Sequence, residues 1–98
     1  MTEAVPRLDA TSRVVAARDQ VSADLDGDAV ILNLADGVYY GLDAVGAHVW
    51  ALMAEPRTVA ELRDAVVAAF EVDAATAEHD LLELLRDMAA RGLVEVRG

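Results

Sequence analysis

The side chains able to carry covalent or proton-transfer chemistry are few and far apart. The general acid–base candidates are His48, His79 and the carboxylates, and the hydroxyl nucleophiles considered are Ser12 and Ser22. The two histidines lie 31 positions apart among ordinary helix formers, with no His-x-x-x-His or Glu-x-x-His spacing to hold a metal. Neither serine sits in an elbow motif of the kind that presents a nucleophile. Asp24, Asp26 and Asp28 imitate the start of a calcium loop, but apolar residues follow and no Glu stands at the twelfth place; they read as turn residues. There is no cysteine, which excludes thiolate zinc sites, disulfides and dithiol redox chemistry and fits a cytoplasmic protein. The reading is of a protein that binds and does not catalyse, with no cofactor and no metal.

Charge narrows what it binds. Eight arginines and lysines against 18 acidic residues give a net charge of −10 over 98 residues. That is the wrong sign for phosphate backbones and for anionic membranes. No apolar stretch approaches the roughly 20 residues that cross a bilayer, and the N-terminus lacks a signal-peptide core. With 55% apolar residues the chain can nevertheless bury a core.

The elements that must position a binding surface are legible in the patterning. Residues 1–12, with Pro6 and no periodicity, read as a flexible tail, leaving 13–98 as one domain. Val14–Ala17 is a short apolar run. Two Asp-Gly pairs, Asp26-Gly27 and Asp36-Gly37, punctuate three apolar segments and predict a three-stranded antiparallel meander. Two-residue turns would oppose Leu25 to Asp28 and Ala35 to Val38. One face then carries Val21, Ala23, Leu25, Val30, Leu32, Leu34 and Tyr39, and the other Ser22, Asp24, Ile31, Asn33, Val38 and Tyr40. The first set is almost wholly apolar and is expected to face the core. A longer second loop would exchange the two tyrosines, and Gly41 reads as a bulge that returns Leu42 to the core side.

Three helices follow. Asp43 caps the first, over about 44–54; Thr58-Val59-Ala60-Glu61 is a capping box opening the second, to about Phe70; Asp73 caps the third, which runs to about Arg91 with Gly92 as its stop. Leu93–Val96 reads as a short strand or a packed tail. The fold class is α+β, winged-helix-like: a three-stranded antiparallel meander followed by three helices.

The third strand, Val38–Leu42, is the last of the meander and carries no Lys, Pro or charge to discourage strand addition. Beside a helix with surplus leucines, such an edge accepts an extended peptide. The alternative is that Val14–Ala17 covers it.

The run from Ala29 to Trp50 resembles the PqqD-like family, and more closely its members in lasso-peptide biosynthesis. Gly37, Tyr39, Tyr40, Leu42, Asp43, Gly46 and Trp50 fall on the family pattern, with Asp43 where Asn is commoner. Thr58-Val59-Ala60-Glu61-Leu62 matches the second helix. Leu84-Leu85, Met88 and Gly92-Leu93-Val94 match the third helix and tail, so the resemblance covers about residues 13–97. It implies a non-catalytic recognition element for ribosomally made, modified peptides. Such a protein binds the leader of a precursor as an added strand, in the groove between the third strand and the third helix. It serves a leader peptidase and an ATP-dependent macrolactam cyclase. Carried over, the strand side of the site is Val38, Tyr39, Tyr40 and Gly41. On the helix, Asp80, Leu84, Asp87 and Arg91 form an i, i+4, i+7, i+11 row able to line the groove. Trp50 reads as a packing anchor. A PqqD-type chaperone for a radical SAM enzyme is the alternative within the family. An acidic winged-helix transcription-related protein is the alternative outside it, disfavoured because its recognition helix would present Asp80, Glu83 and Asp87.

Overall fold

A computed structural model describes residues 8–97. The turn chemistry acts where the sequence places it. Asp26 (φ 60°) and Gly27 (φ 99°) close a two-residue hairpin between β2 (Gln20–Leu25) and β3 (Asp28–Asn33), pairing Leu25 with Asp28. Both turn residues hold positive φ, as a type I′ turn requires. The second connection is longer than two residues. Leu34–Val38 loops from β3 to β4 (Tyr39–Leu42), and Leu32 pairs with Tyr39 and Ile31 with Tyr40. The register is therefore displaced by two residues from the expected one, which leaves the face of every side chain unchanged. The ladder runs unbroken through Val30–Gly41 and Ala29–Leu42, so Gly41 is not a bulge. Leu42 reaches the core because it shares a face with Tyr40.

Which face is buried is the reverse of the expectation. Ile31 is fully buried and Ala29 and Leu42 nearly so, whereas Val21, Leu25 and Tyr39 are more than half exposed. The polar residues that argued against this arrangement, Ser22 and Asp24, lie on β2. That strand is exposed from Val21 to Leu25 and overhangs the helical layer, so its polar groups remain in water. Of the meander's strands only β3 and β4 cover the core, and on them the buried set is apolar.

The first apolar run does not cover β4. It forms β1 (Arg13–Ala16), at the centre of a second antiparallel sheet between β5 (Arg57–Thr58) and β6 (Val94–Arg97). The order in the meander is β2–β3–β4, leaving β4 at an edge. Residues 8–12, expected in the tail, are docked. Leu8 is buried, and the Ala10 and Ser12 carbonyls accept from the amides of Ala60 and Val59. The remainder of the expected tail, residues 1–7, lies outside the described residues.

The helices begin at the predicted caps. Asp43 accepts from the Gly46 amide at 2.9 Å to open α1 (Ala44–Leu52), which ends two residues earlier than expected. Thr58 and Glu61 form the reciprocal capping box of α2 (Val59–Phe70). Asp73 accepts from Thr76 to open α3 (Ala74–Ala90). Ile31, Val49, Met53, Leu62, Leu85, Met88 and Leu93 form the centre of the core, with Trp50 packed against it. The β4–α1 corner is tight: a Cβ on Gly46 would come within 3.0 Å of the Leu42 side chain. A glycine there lets Leu42 fold back under the corner that ends β4.

Candidate functional site

The open side of β4 follows from the phase of its ladder. The Asn33 amide donates to the Val38 carbonyl at 3.0 Å, which makes Asn33–Val38 a hydrogen-bonded pair. In an antiparallel ladder such pairs recur every second residue, so Ile31–Tyr40 and Ala29–Leu42 are bonded likewise. The amides and carbonyls of Tyr39 and Gly41 therefore point away from β3, toward the side where, among the described residues, no strand pairs. Val38 precedes β4, exposed, with its amide donated to Asp36 Oδ1 at 2.9 Å.

Across from this edge lies α3, and the two are joined at one end by side chains. The Tyr40 hydroxyl donates to Asp87 Oδ2 at 2.7 Å. Arg91 Nε lies 3.3 Å from Asp87 Oδ1, and its guanidinium sits over the Tyr40 ring at 5.1 Å from the centroid. The Asn33 side-chain amide donates to the Arg91 carbonyl at 3.2 Å. Arg91 is the residue after the last turn of α3, so the cluster ties the helix end to β3 and β4. Toward the N-terminal half of α3 the space opens. A cavity of about 330 Å³ lies between the β4–α1 corner and the helix, floored by Leu42, Val49, Val66 and Leu81 and bordered by Asp80 and Leu84. Leu84 is half-buried and Asp80 exposed.

All eight sequence-selected residues thus lie on β4, on the loop before it, or along α3. Tyr40, Asp87 and Arg91 touch, and Gly41, Asp80 and Leu84 share the cavity. Tyr39 points the other way, to the outer face beside Leu32. Sequence reasoning missed the cavity floor, because Val49 and Val66 belong to helices whose stripes read only as core. His79, Asp80 and Glu83 gather on the exposed face of α3, where His79 and Glu83 are i, i+4 neighbours at 3.3 Å. No helix among the described residues is long and apolar enough to cross a membrane.

The cluster has a titration signature. Partial burial, then the hydrogen bond to Asp87 and its charge, push the Tyr40 hydroxyl up to about 12. The same hydrogen bond, with help from Arg91, lowers the Asp87 carboxyl below its ordinary value. Tyr40 holds its proton more tightly when folded. Its contribution to stability is therefore complete below its ordinary pKa near 10 and is lost as pH rises from there through about 12. Asp87 has the opposite sign: its contribution is present above the ordinary carboxylate pKa and is lost as pH falls through the lowered value. In a Tyr39→Phe background, where Tyr40 is the sole tyrosine, tyrosinate absorbance is expected to rise with a midpoint near 12. Asp87→Asn is expected to bring it down. A midpoint at the ordinary value in the intact protein contradicts the contact.

The family model described as coenzyme PQQ synthesis protein D (PqqD) matches residues 28–94. A solved structure of TbiB1 in complex with the TbiA(beta) leader peptide is 41% identical; the match covers 83% of this chain and 94% of that one, with a TM-score of 0.76. Lasso peptide synthetase B1 complexed with the leader peptide matches at 20% identity and a TM-score of 0.73, over 84% of this chain and 96% of that one, a likeness of fold. No curated protein matches.

Proposed function

Since the chain belongs to the PqqD family, we propose that it captures the leader of a ribosomally made precursor peptide as a fourth strand on β4, in the groove facing α3. It acts in the cytoplasm without catalysing a reaction itself, and presents the peptide to the leader peptidase and macrolactam cyclase of a lasso pathway. Val38, Tyr39, Tyr40 and Gly41 form the strand side of the site, and Asp80, Leu84, Asp87 and Arg91 the helix side. The observation that carries this reading is the unpaired edge at Tyr39 and Gly41 beside an apolar cavity. The 41% identical relative, solved with a leader peptide, supports it.

The magnitudes suit a carrier that must release its cargo. Two residues with outward amides and carbonyls offer about four backbone hydrogen bonds at about 1 kcal/mol net each. Two leader side chains buried in the groove add about 2 kcal/mol each. Ordering a free peptide costs about 2–5 kcal/mol. The remainder corresponds to tens of micromolar or weaker, tightened where the groove is preformed. The net charge of −10 favours fast encounter with a leader carrying Lys or Arg.

Titration of a fluorescent leader by anisotropy tests the site. Replacing Tyr39 and Tyr40 together with Ala is expected to weaken binding at least tenfold while the helical circular dichroism persists. Unchanged affinity rejects this edge as the site.

A further inference from the structure

We infer that Asn33, which belongs neither to the strand edge nor to the cavity lining, is the positioning residue of the leader site: its side chain pins the C-terminal end of α3 to the meander and so sets the gap between the two walls of the groove. The inference rests on the leader-binding reading and adds to it the device that holds the groove at its working width.

Asn33 is the sole asparagine of the chain, half-buried at the end of β3 on the face it shares with Tyr40. Its amide donates to the Val38 carbonyl at 3.0 Å, and its carbonyl accepts from the Gly37 amide at 2.8 Å. Its Oδ1 accepts from the Ala35 amide at 2.9 Å, and its Nδ2 donates to the Arg91 carbonyl at 3.2 Å. The two side-chain bonds require an acceptor and a donor at the two ends of one planar amide. An ionised Asp has no donor, and a Ser hydroxyl, one atom shorter, spans only one of the two partners.

The carbonyls at a helix end have no partner inside the helix. Arg91 stands just past the last turn of α3, and a strand residue 58 positions away supplies its missing donor. Among the described residues, two hydrogen bonds join the meander to α3 and its cap: Tyr40 to Asp87 and Asn33 to Arg91. The first links two side-chain tips. The second holds main chain, and from that held point the Arg91 guanidinium reaches both the Tyr40 ring and Asp87. Without Asn33 the Arg91 main chain has no bond to the meander among the described residues, and the three-residue cluster loses its fixed end.

A guest strand must bond to Tyr39 and Gly41 on one side and bury side chains against Leu84 on the other. Hydrogen bonds weaken steeply with distance and angle, so a shift of one wall against the other is felt by every bond the guest makes. Asn33 cannot touch the guest itself. A strand added to β4 lies two strand spacings from β3, roughly 9–10 Å. Its influence on leader binding therefore passes through Arg91 and Tyr40.

The test uses the full chain and three variants. Asn33→Asp and Asn33→Ser both keep an oxygen for the Ala35 amide and lose the donor to Arg91, one with an added charge and one without. Val96→Ala, half-buried on the second sheet, is the control for lost stability alone. A fluorescent leader of the same pathway is titrated by anisotropy. Both Asn33 variants are expected to weaken binding about fivefold or more, the scale of one hydrogen bond, while Val96→Ala stays within twofold and all three keep their helical circular dichroism. In the Tyr39→Phe background, without leader, the tyrosinate midpoint is expected to fall in both Asn33 variants from about 12 toward the ordinary phenol value and to hold in Val96→Ala. Leader affinity within twofold of the unaltered protein in Asn33→Ser overturns the inference. So does a loss of affinity with an unmoved midpoint, or a loss that Val96→Ala matches. Failure of the unaltered protein to bind any leader overturns the leader reading instead, a result kept distinct because the tyrosinate midpoints are read without leader.

Discussion

Gly41→Pro is expected to weaken leader binding about thirtyfold or more and to leave the thermal transition nearly where it was. The Gly41 amide points out of the sheet, so its loss costs the protein no bond of its own. Its φ is not in the left-handed region, and a side-chain carbon there meets nothing within 4 Å. Proline is tolerated on edge strands where the amide faces water. The guest strand, however, loses a hydrogen bond and meets the ring, together about 2 kcal/mol or more. Tyr40→Pro is the contrast. That amide belongs to the inward pair with Ile31, so the substitution breaks the protein's own ladder and is expected to unfold the β3–β4 hairpin. Anisotropy titration and thermal melts of both variants check the pair. If Gly41→Pro binds leader normally, the guest does not pair with this edge.

Ile31→Ala is expected to cost about 3–4 kcal/mol, and its neighbour Leu32→Ala only about 1. Ile31 has no exposed surface and belongs to the buried core with Val49, Leu62 and Leu85, so truncation removes its transfer energy and leaves a cavity. Leu32 is half-buried on the outer face. For a chain of this length the first change should lower the melting temperature by roughly 15 °C or more, and the second by a few degrees. Equal losses contradict the assignment of faces.

Those two residues mark where the sequence could and could not be read. Turns and caps are local chemistry: Asp26-Gly27, Asp43, the Thr58–Glu61 box and Asp73 need only their immediate neighbours, and each acts as its residue type dictates. The partition of the meander into two faces is also local, since alternation has a period of two, and it survives a displacement of the register by two residues. Which face is covered is not local. Both faces of β3 are apolar, Val30 and Leu32 on one and Ala29 and Ile31 on the other, and the choice is made by helices more than ten residues away. Counting apolar residues over all three strands favoured the outer face only because β2, which overhangs the core, contributed Val21, Ala23 and Leu25 to it. The excess belongs to a surface. The helix row Asp80, Leu84, Asp87 and Arg91 was legible because an α-helical period places those residues on one side. Their meeting with Tyr40 was not, because it depends on the angle at which α3 crosses the sheet.

The small sheet of β5, β1 and β6 has a bearing on where such a unit can be extended. Arg13 and Arg97 are cross-strand partners, so β1 begins beside the end of β6. Both strands belong to the second sheet, whereas the edge, the groove and the outer face belong to the meander and α3. A further segment can therefore be joined beside β6 without touching the edge or the groove.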